Sequence, residues 1–125
     1  MILDTNALSA AAEEDAAIVR ILAGLDRVAL PVIVIGEYRY GIAQSRHAAR
    51  YRRWLEDLIS ACDVLDVTEQ TTHYYAAISN ELRSAGKPIP SNDVWIAALC
   101  RQHSLGVLSQ DRHFDAISGI RRAGW

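Results

Sequence analysis

The sequence predicts an α/β domain in which a mainly parallel sheet is flanked by helices. Short apolar runs of strand length alternate along the chain with longer helical patterns, and this alternation is typical of a parallel sheet. Half of the 125 residues are apolar and 22% are charged, which suits a compact globule. We therefore expect a single domain that spans residues 1–125.

The first third of the chain contains two candidate strands. A short buried strand at Ile2–Asp4 ends at its acid, and Thr5–Leu25 is predicted to be helical with a break near residues 13–15. Val28–Leu30 is the second candidate strand. A helix from Pro31 to about Ala43 follows, because proline is tolerated in the first turn of a helix. The β-branched run after this proline has strong strand propensity, which competes with the helical assignment.

The rest of the chain continues the alternation of helix and strand, with glycine and proline marking one helix end. The predicted elements are a helix at about His47–Ala61, a strand at Asp63–Val67, a helix from an N-cap at Thr68 to Gly86, a helix from a cap at Ser91 or Asn92 to about His103, and a strand at Leu105–Ser109.

Composition excludes several classes of protein. The formal net charge of −2 is not that of a globally basic nucleic-acid binder. The longest apolar run, Val28–Gly36, is too short to span a membrane, and acids among the first 25 residues do not suit a signal peptide. Cys62 and Cys100 lack the spacing of a zinc or disulfide framework. We therefore expect no membrane association, reduced thiols and a cytoplasmic location.

Four acids stand beside apolar runs, where a lone carboxylate is costly to desolvate. They are Asp4, Glu37, Asp93 and Asp111. Two of them, Asp4 and Asp111, follow predicted strands, and Asp93 lies in the first turn of a helix, where the helix dipole favours an anion. Because ligands bind at the carboxyl ends of such strands, these three are expected to converge there. Glu37 joins them only if its helix crosses the same edge, which the sequence does not decide.

A shared cation would explain the four acids together. Neighbouring carboxylates repel one another, and oxygen ligands select Mg²⁺ or Mn²⁺ over zinc. Such a site suits hydrolysis of a phosphodiester by a metal-activated water. Singly, each acid also has an ordinary structural explanation: Asp4 and Asp93 suit helix capping, and Asp111 suits a turn after a strand. The joint pattern favours the metal site.

Four motifs, in this order, resemble the PIN domain, and most closely the VapC-type ribonuclease toxins of bacterial toxin–antitoxin pairs. They are Leu3-Asp4-Thr5-Asn6, Gly36-Glu37, Asn92-Asp93-Val94-Trp95-Ile96-Ala97-Ala98 and Leu108-Ser109-Gln110-Asp111-Arg112-His113-Phe114. The resemblance covers the chain from end to end. It implies an α/β/α sandwich, cleavage of RNA that depends on Mg²⁺ or Mn²⁺, an antitoxin partner and a homodimer.

The resemblance also implies roles for individual residues. Asp4, Glu37, Asp93 and Asp111 become the catalytic carboxylates, and all of them except Glu37 become metal ligands. Thr5, Asn6 and Ser109 become supports that bond to the acids or to metal-bound water, with Ser109 replacing the commoner threonine. Asp115 either supports the site or shares the role of Asp111.

The arginines near the third predicted helix allow two interpretations. Arg46, Arg50 and Arg53 follow a helical spacing with Arg39 nearby, and they form either a surface for RNA phosphates or an ordinary solvated helix face. The four histidines are scattered along the sequence, and we expect surface or packing roles for them.

The alternative to a ribonuclease is a catalytically silent PIN-like module that binds RNA or protein.

Overall fold

The structure, a computed structural model, describes all of residues 1–125 and contains one five-stranded sheet. Its strands are β1 (Ile2–Leu3), β2 (Ala29–Pro31), β3 (Asp63–Leu65), β4 (Val107–Leu108) and β5 (Arg122–Ala123). They lie across the sheet in the order β3-β2-β1-β4-β5, and every pair is parallel. The predicted α/β class is confirmed, and the sheet is wholly parallel.

Helices form the connections between the first four strands and flank the sheet. They are α1 (Thr5–Ala12), α2 (Ala16–Ala23), α3 (Val32–Ile42), α4 (Ala48–Ala61), α5 (Glu69–Ser84) and α6 (Ser91–His103), followed by a 3-10 helix (Arg112–Ala116). None of these helices is long and apolar enough to cross a membrane.

The core is centred on β1 and β4. Ile2, Leu3, Val107 and Leu108 are fully buried, as expected for the central strands of a parallel sheet that is covered on both faces. Both cysteines are free thiols, and Cys100 is buried in this core, where burial raises its pKa to about 12.

The run of β-branched residues after Pro31 is helical, as predicted. Val34, Tyr38 and Ile42 are all buried and recur at intervals of four residues, so a single stripe of α3 faces the core. Burial of this stripe outweighs the local strand propensity. The prediction for Pro31 was wrong by one residue: it ends β2 and is the extended N-cap of α3.

The predicted break in the first helical segment is confirmed. Glu14 has a positive φ of 57°, and Asp15 then caps α2 by accepting from the amides of Ala17 and Ile18. The predicted cap at Thr68 is also confirmed, since its amide donates to Thr71 Oγ1 at 3.0 Å.

Several other predicted element ends differ from those in the structure. Pro90, rather than Ser91 or Asn92, is the N-cap of α6. The strands β3 and β4 are shorter than expected, because β4 pairs with two-residue β1 and β3 pairs with three-residue β2. The 3-10 helix and β5 were not predicted, since two-residue Arg122–Ala123 carries no strand pattern.

Candidate active site

Strand register brings Asp4 next to Ser109. Leu3 pairs with Leu108 across β1 and β4, and the Asp4 amide extends the pairing by donating to the Leu108 carbonyl at 3.1 Å. Asp4 and Ser109 are therefore the first residues after two adjacent strands, and they lie side by side at the carboxyl ends of those strands. Both are buried, with 5% and 0% of their surface exposed.

The Asp4 carboxylate is held by three donors. Its Oδ1 accepts from the Thr5 amide at 2.8 Å, while Oδ2 accepts from Ser109 Oγ at 2.6 Å and from Asn6 Nδ2 at 3.2 Å. Ser109 Oγ in turn accepts from the Asp111 amide at 2.9 Å. Ser109 thus links two of the acids, and hydrogen bonds fix the orientation of Asp4 in a buried position.

Glu37 reaches the same edge from α3. Its Oε2 accepts from Thr5 Oγ1 at 3.2 Å, and its Oε1 accepts from Asn92 Nδ2 at 3.2 Å. Burial raises the pKa of Glu37, the hydrogen bonds from Thr5 and Asn92 oppose this, and the charges of Asp4 and Asp93 raise the pKa further. The placement that the sequence left undecided is therefore found in the structure.

Asp93, Asp111 and His113 form the tightest group of the site. His113 Nδ1 lies 2.9 Å from Asp93 Oδ2 and 3.0 Å from Asp111 Oδ1. Burial raises the pKa of Asp93, and the nearby charges of Asp111 and Asp4 add to this against the hydrogen bond from His113. The hydrogen bond to Asp93 raises the pKa of His113 above its ordinary value.

The sequence did not single out His113, whose exposed side chain lies within the site. The sequence contains one signal for it: His113 follows Asp111 by two residues, and the Asp111 side chain accepts from its amide at 2.9 Å. Asn92 was also missed, having been considered only as a helix cap.

The donor set fits a divalent cation. Four acids lie at one edge of the sheet, and none of them forms an ion pair with lysine or arginine. The ligand atoms of Asp93, Asp111 and His113 all lie within 4.8 Å of one another, and Asp4 is linked to this group through Ser109. Such carboxylate oxygens are suitable ligands for Mg²⁺ or Mn²⁺.

Asp115 is bonded to an arginine rather than to the residues of the acidic group. Its two oxygens accept from Arg122 Nε and Nη2 at 2.8 and 3.0 Å. Arg122 also donates to the Ser109 carbonyl at 3.0 Å, so β5 contributes a cation that braces the strand end beside the acids. No pattern in the sequence indicated this role for Arg122.

The four arginines do not form one helical stripe. Arg46 lies two residues before α4 begins, which corrects the predicted spacing, while Arg50 and Arg53 are exposed on that helix. Arg39, on α3, is paired with Glu56 at 2.9 Å.

Comparison with known proteins agrees with this fold and site. The PIN domain family model matches residues 1–120. Ribonuclease VapC4 of Mycobacterium tuberculosis is 31% identical over 91 residues, which are 71% of this chain and 70% of that protein. The tRNA(fMet)-specific endonuclease VapC of Shigella flexneri is 27% identical over 100 residues, which are 79% and 76% of the two chains.

A solved structure extends the similarity to nearly the whole chain. DNA-bound VapBC from Salmonella typhimurium matches with a TM-score of 0.87 and 28% identity, covering 99% of this chain and 96% of that chain. The parallel α/β sheet and its acidic edge agree with the match to the family model, and this chain belongs to the PIN domain family. The relatives that it matches within that family are VapC ribonucleases.

Proposed function

We propose that this chain is the endoribonuclease toxin of a type II toxin–antitoxin pair and that it hydrolyses RNA phosphodiesters with bound Mg²⁺ or Mn²⁺. The observation that carries this proposal is the convergence of Asp4, Glu37, Asp93 and Asp111 at one sheet edge. The similarity to VapC ribonucleases supports RNA as the substrate. A solved VapBC toxin–antitoxin structure from Mycobacterium tuberculosis, which is 25% identical with a TM-score of 0.78, supports an antitoxin as the partner.

The acids divide into two roles. Asp4, Asp93 and Asp111 would hold the cation, which supplies a Lewis acid for the phosphate and lowers the pKa of a bound water. Glu37 would accept the proton of the attacking water, because hydrogen bonds hold its carboxylate at the same edge as the three proposed ligands. Thr5 and Asn92 orient Glu37, and Ser109 and Asn6 orient Asp4.

Exposed arginines and the unpaired acids suggest the partners of the chain. RNA phosphates would be contacted by Arg39, Arg46, Arg50 and Arg53, all of which are exposed. A homodimer and a cytoplasmic location are part of the proposal. We expect the antitoxin to cover the acidic edge and to place a basic side chain among the carboxylates, since these carry no lysine or arginine partner of their own.

The test is cleavage of total cellular RNA by the purified protein with Mn²⁺, Mg²⁺ or EDTA. Asp93→Asn should abolish metal-dependent cleavage, and circular dichroism should show that the variant is folded. Asp66→Asn is the matched control, because Asp66 is an exposed acid directly after β3 and takes no part in the site. Sequencing of the fragment ends would show whether the substrate is a tRNA.

Two results would contradict the proposal. Wild type that binds the metal yet cleaves no RNA would favour the alternative of a silent binding module. Equal cleavage by wild type and Asp93→Asn would show that the activity comes from a contaminant or from another site.

A further inference from the structure

His113 occupies a position that a metal ligand would occupy. Its Nδ1 lies 2.9 Å from Asp93 Oδ2 and 3.0 Å from Asp111 Oδ1. Two ligand atoms at right angles on an octahedral cation, each about 2.1 Å from it, are about 3.0 Å apart. The nitrogen therefore already lies at the spacing of a neighbouring ligand from each of the two oxygens.

The local backbone sets the position of His113. The Asp111 carboxylate accepts from the His113 amide, which holds His113 in the first turn of the 3-10 helix. The next residue, Phe114, is fully buried and anchors this turn in the core. The imidazole itself is 45% exposed, so a solvated ion can reach it.

We infer that His113 is a nitrogen ligand of the cation held by Asp93 and Asp111, and that it makes the site prefer a first-row transition ion such as Mn²⁺ over Mg²⁺. This inference rests on the proposed function for the existence of the cation site. Mg²⁺ takes oxygen ligands, whereas an imidazole nitrogen suits transition ions. His113 would be the fourth protein ligand, beside Asp4, Asp93 and Asp111. It would shift the preference of the site from Mg²⁺ toward Mn²⁺ while the carboxylate ligands stay the same.

The same spacing suits a hydrogen bond, in which a proton lies between the nitrogen and the carboxylates. A cation can replace this proton with little movement of the backbone. The competing explanation is that His113 is only a positively charged partner of the acids, which metal binding must displace. The two explanations predict opposite effects of removing the imidazole on Mn²⁺ affinity.

The experiment measures Mn²⁺ and Mg²⁺ affinities by calorimetry on the untagged full-length chain and on His113→Gln. We expect the Mn²⁺ affinity of the variant to fall by at least about tenfold, with a much smaller change for Mg²⁺. The matched control is His73→Gln, because His73 is exposed on α5, outside the site. Thermal unfolding of the metal-free proteins checks that each variant is folded.

A spectroscopic measurement identifies the ligand directly. The electron spin echo of Mn²⁺ bound to wild type and to His73→Gln should show modulation from a directly bound ¹⁴N, and His113→Gln should lack it. Mn²⁺ that binds through Asp93 without nitrogen modulation, or binds more tightly to His113→Gln, would overturn this inference and leave the proposed function standing. Mn²⁺ binding that is unaffected by Asp93→Asn would overturn both.

Discussion

The Ser109 hydroxyl forms hydrogen bonds with three residues of the acidic edge. The hydroxyl is fully buried, donates to Asp4 Oδ2 at 2.6 Å and accepts from the Asp111 amide at 2.9 Å. It also accepts from Asn6 Nδ2 at 3.3 Å. A buried hydroxyl with all of these partners has the role of holding two acids at a set separation.

Replacing Ser109 with alanine should weaken both stability and metal binding. The Asp111 amide would lose its acceptor and Asp4 its shortest donor, at a cost of about 1–3 kcal/mol in the free energy of unfolding. The affinity for Mn²⁺ should fall about 10–100-fold. Urea unfolding and calorimetry test this, with Ser109→Thr as the control that keeps the hydroxyl. Wild-type Mn²⁺ affinity in Ser109→Ala would contradict it.

Glu37 should destabilise the metal-free protein at neutral pH. Its pKa in the folded state is raised, so the folded state holds the proton more tightly than the unfolded one. The unfolding free energy therefore falls as pH rises from the unfolded value of about 4.3 through the folded pKa. Glu37→Gln has no such titration and should therefore be more stable than the metal-free wild type at pH 7.

Urea unfolding at pH 4 and pH 7 in EDTA tests whether the free energy of unfolding changes with pH in the predicted direction. The stability difference between Glu37→Gln and wild type should grow with pH, while RNA cleavage is lost. Glu69→Gln, which removes an exposed acid from α5, should show no such gain. A difference that shrinks with rising pH would refute the argument.

Replacing Asp111 and replacing Asp115 should have clearly different effects on RNA cleavage. Asp111 lies 3.0 Å from His113 inside the acidic group, whereas Asp115 is exposed and bonded to Arg122. We expect Asp111→Asn to lower metal-dependent cleavage about 100-fold or more and Asp115→Asn to retain most of it. The reverse order would assign the fourth acid to Asp115.

The first turn of helix α6 contains two residues of the site, Asn92 and Asp93, and has no side-chain cap. The helix begins after Pro90, whose side chain has no acceptor for a cap, and the side-chain amide of Asn92 donates to Glu37. Asp93 stands in the first turn, where the helix dipole favours its charge. The helix is positioned instead by α5, through the bond from Thr71 Oγ1 to Gln102 Oε1 at 2.6 Å.

Breaking the bond between α5 and α6 should reduce stability without altering metal affinity. Thr71 is fully buried, so Thr71→Val leaves Gln102 and the Thr68 amide without their partner and should cost about 1–3 kcal/mol. Thr72→Val, at the neighbouring exposed position, should cost less than about 0.5 kcal/mol. Equal losses in the two variants on denaturation with urea would contradict this role for Thr71.

The whole sheet places the site where its strand order changes direction. Strand β1 has β2 on one side and β4 on the other, so the connections after β1 and β4 leave a crevice at their carboxyl ends. Asp4 and Ser109 lie at that position. A ligand that binds the folded chain there should stabilise the molecule as a unit.

Mn²⁺ should therefore raise the thermal stability of the wild-type chain. At about 100 times its dissociation constant, it should add about 2.7 kcal/mol to the free energy of unfolding. Asp93→Asn should show little of this gain, and Asp66→Asn should show all of it. Differential scanning calorimetry with and without Mn²⁺ measures the effect, and an equal gain in all three proteins would point to a different binding site.

The sequence by itself determined the α/β class, most of the helices and the four acids, because these depend on local patterns. The α3 stripe of Val34, Tyr38 and Ile42 and the cap at Thr68 involve residues only a few positions apart. Burial and capping of this kind follow directly from residue order. The strand ends bearing Asp4 and Asp111 were predicted for the same reason.

Only the tertiary structure decided how the acids meet. Glu37 is joined to Asn92 across 55 positions, His113 to Asp93 across 20, and Arg122 to the Ser109 carbonyl across 13. Such contacts depend on strand order and on where helices cross the sheet edge, and no local pattern encodes either. The resulting desolvation and repulsion, which raise the pKa of Glu37 and Asp93, exist only once distant segments have packed together.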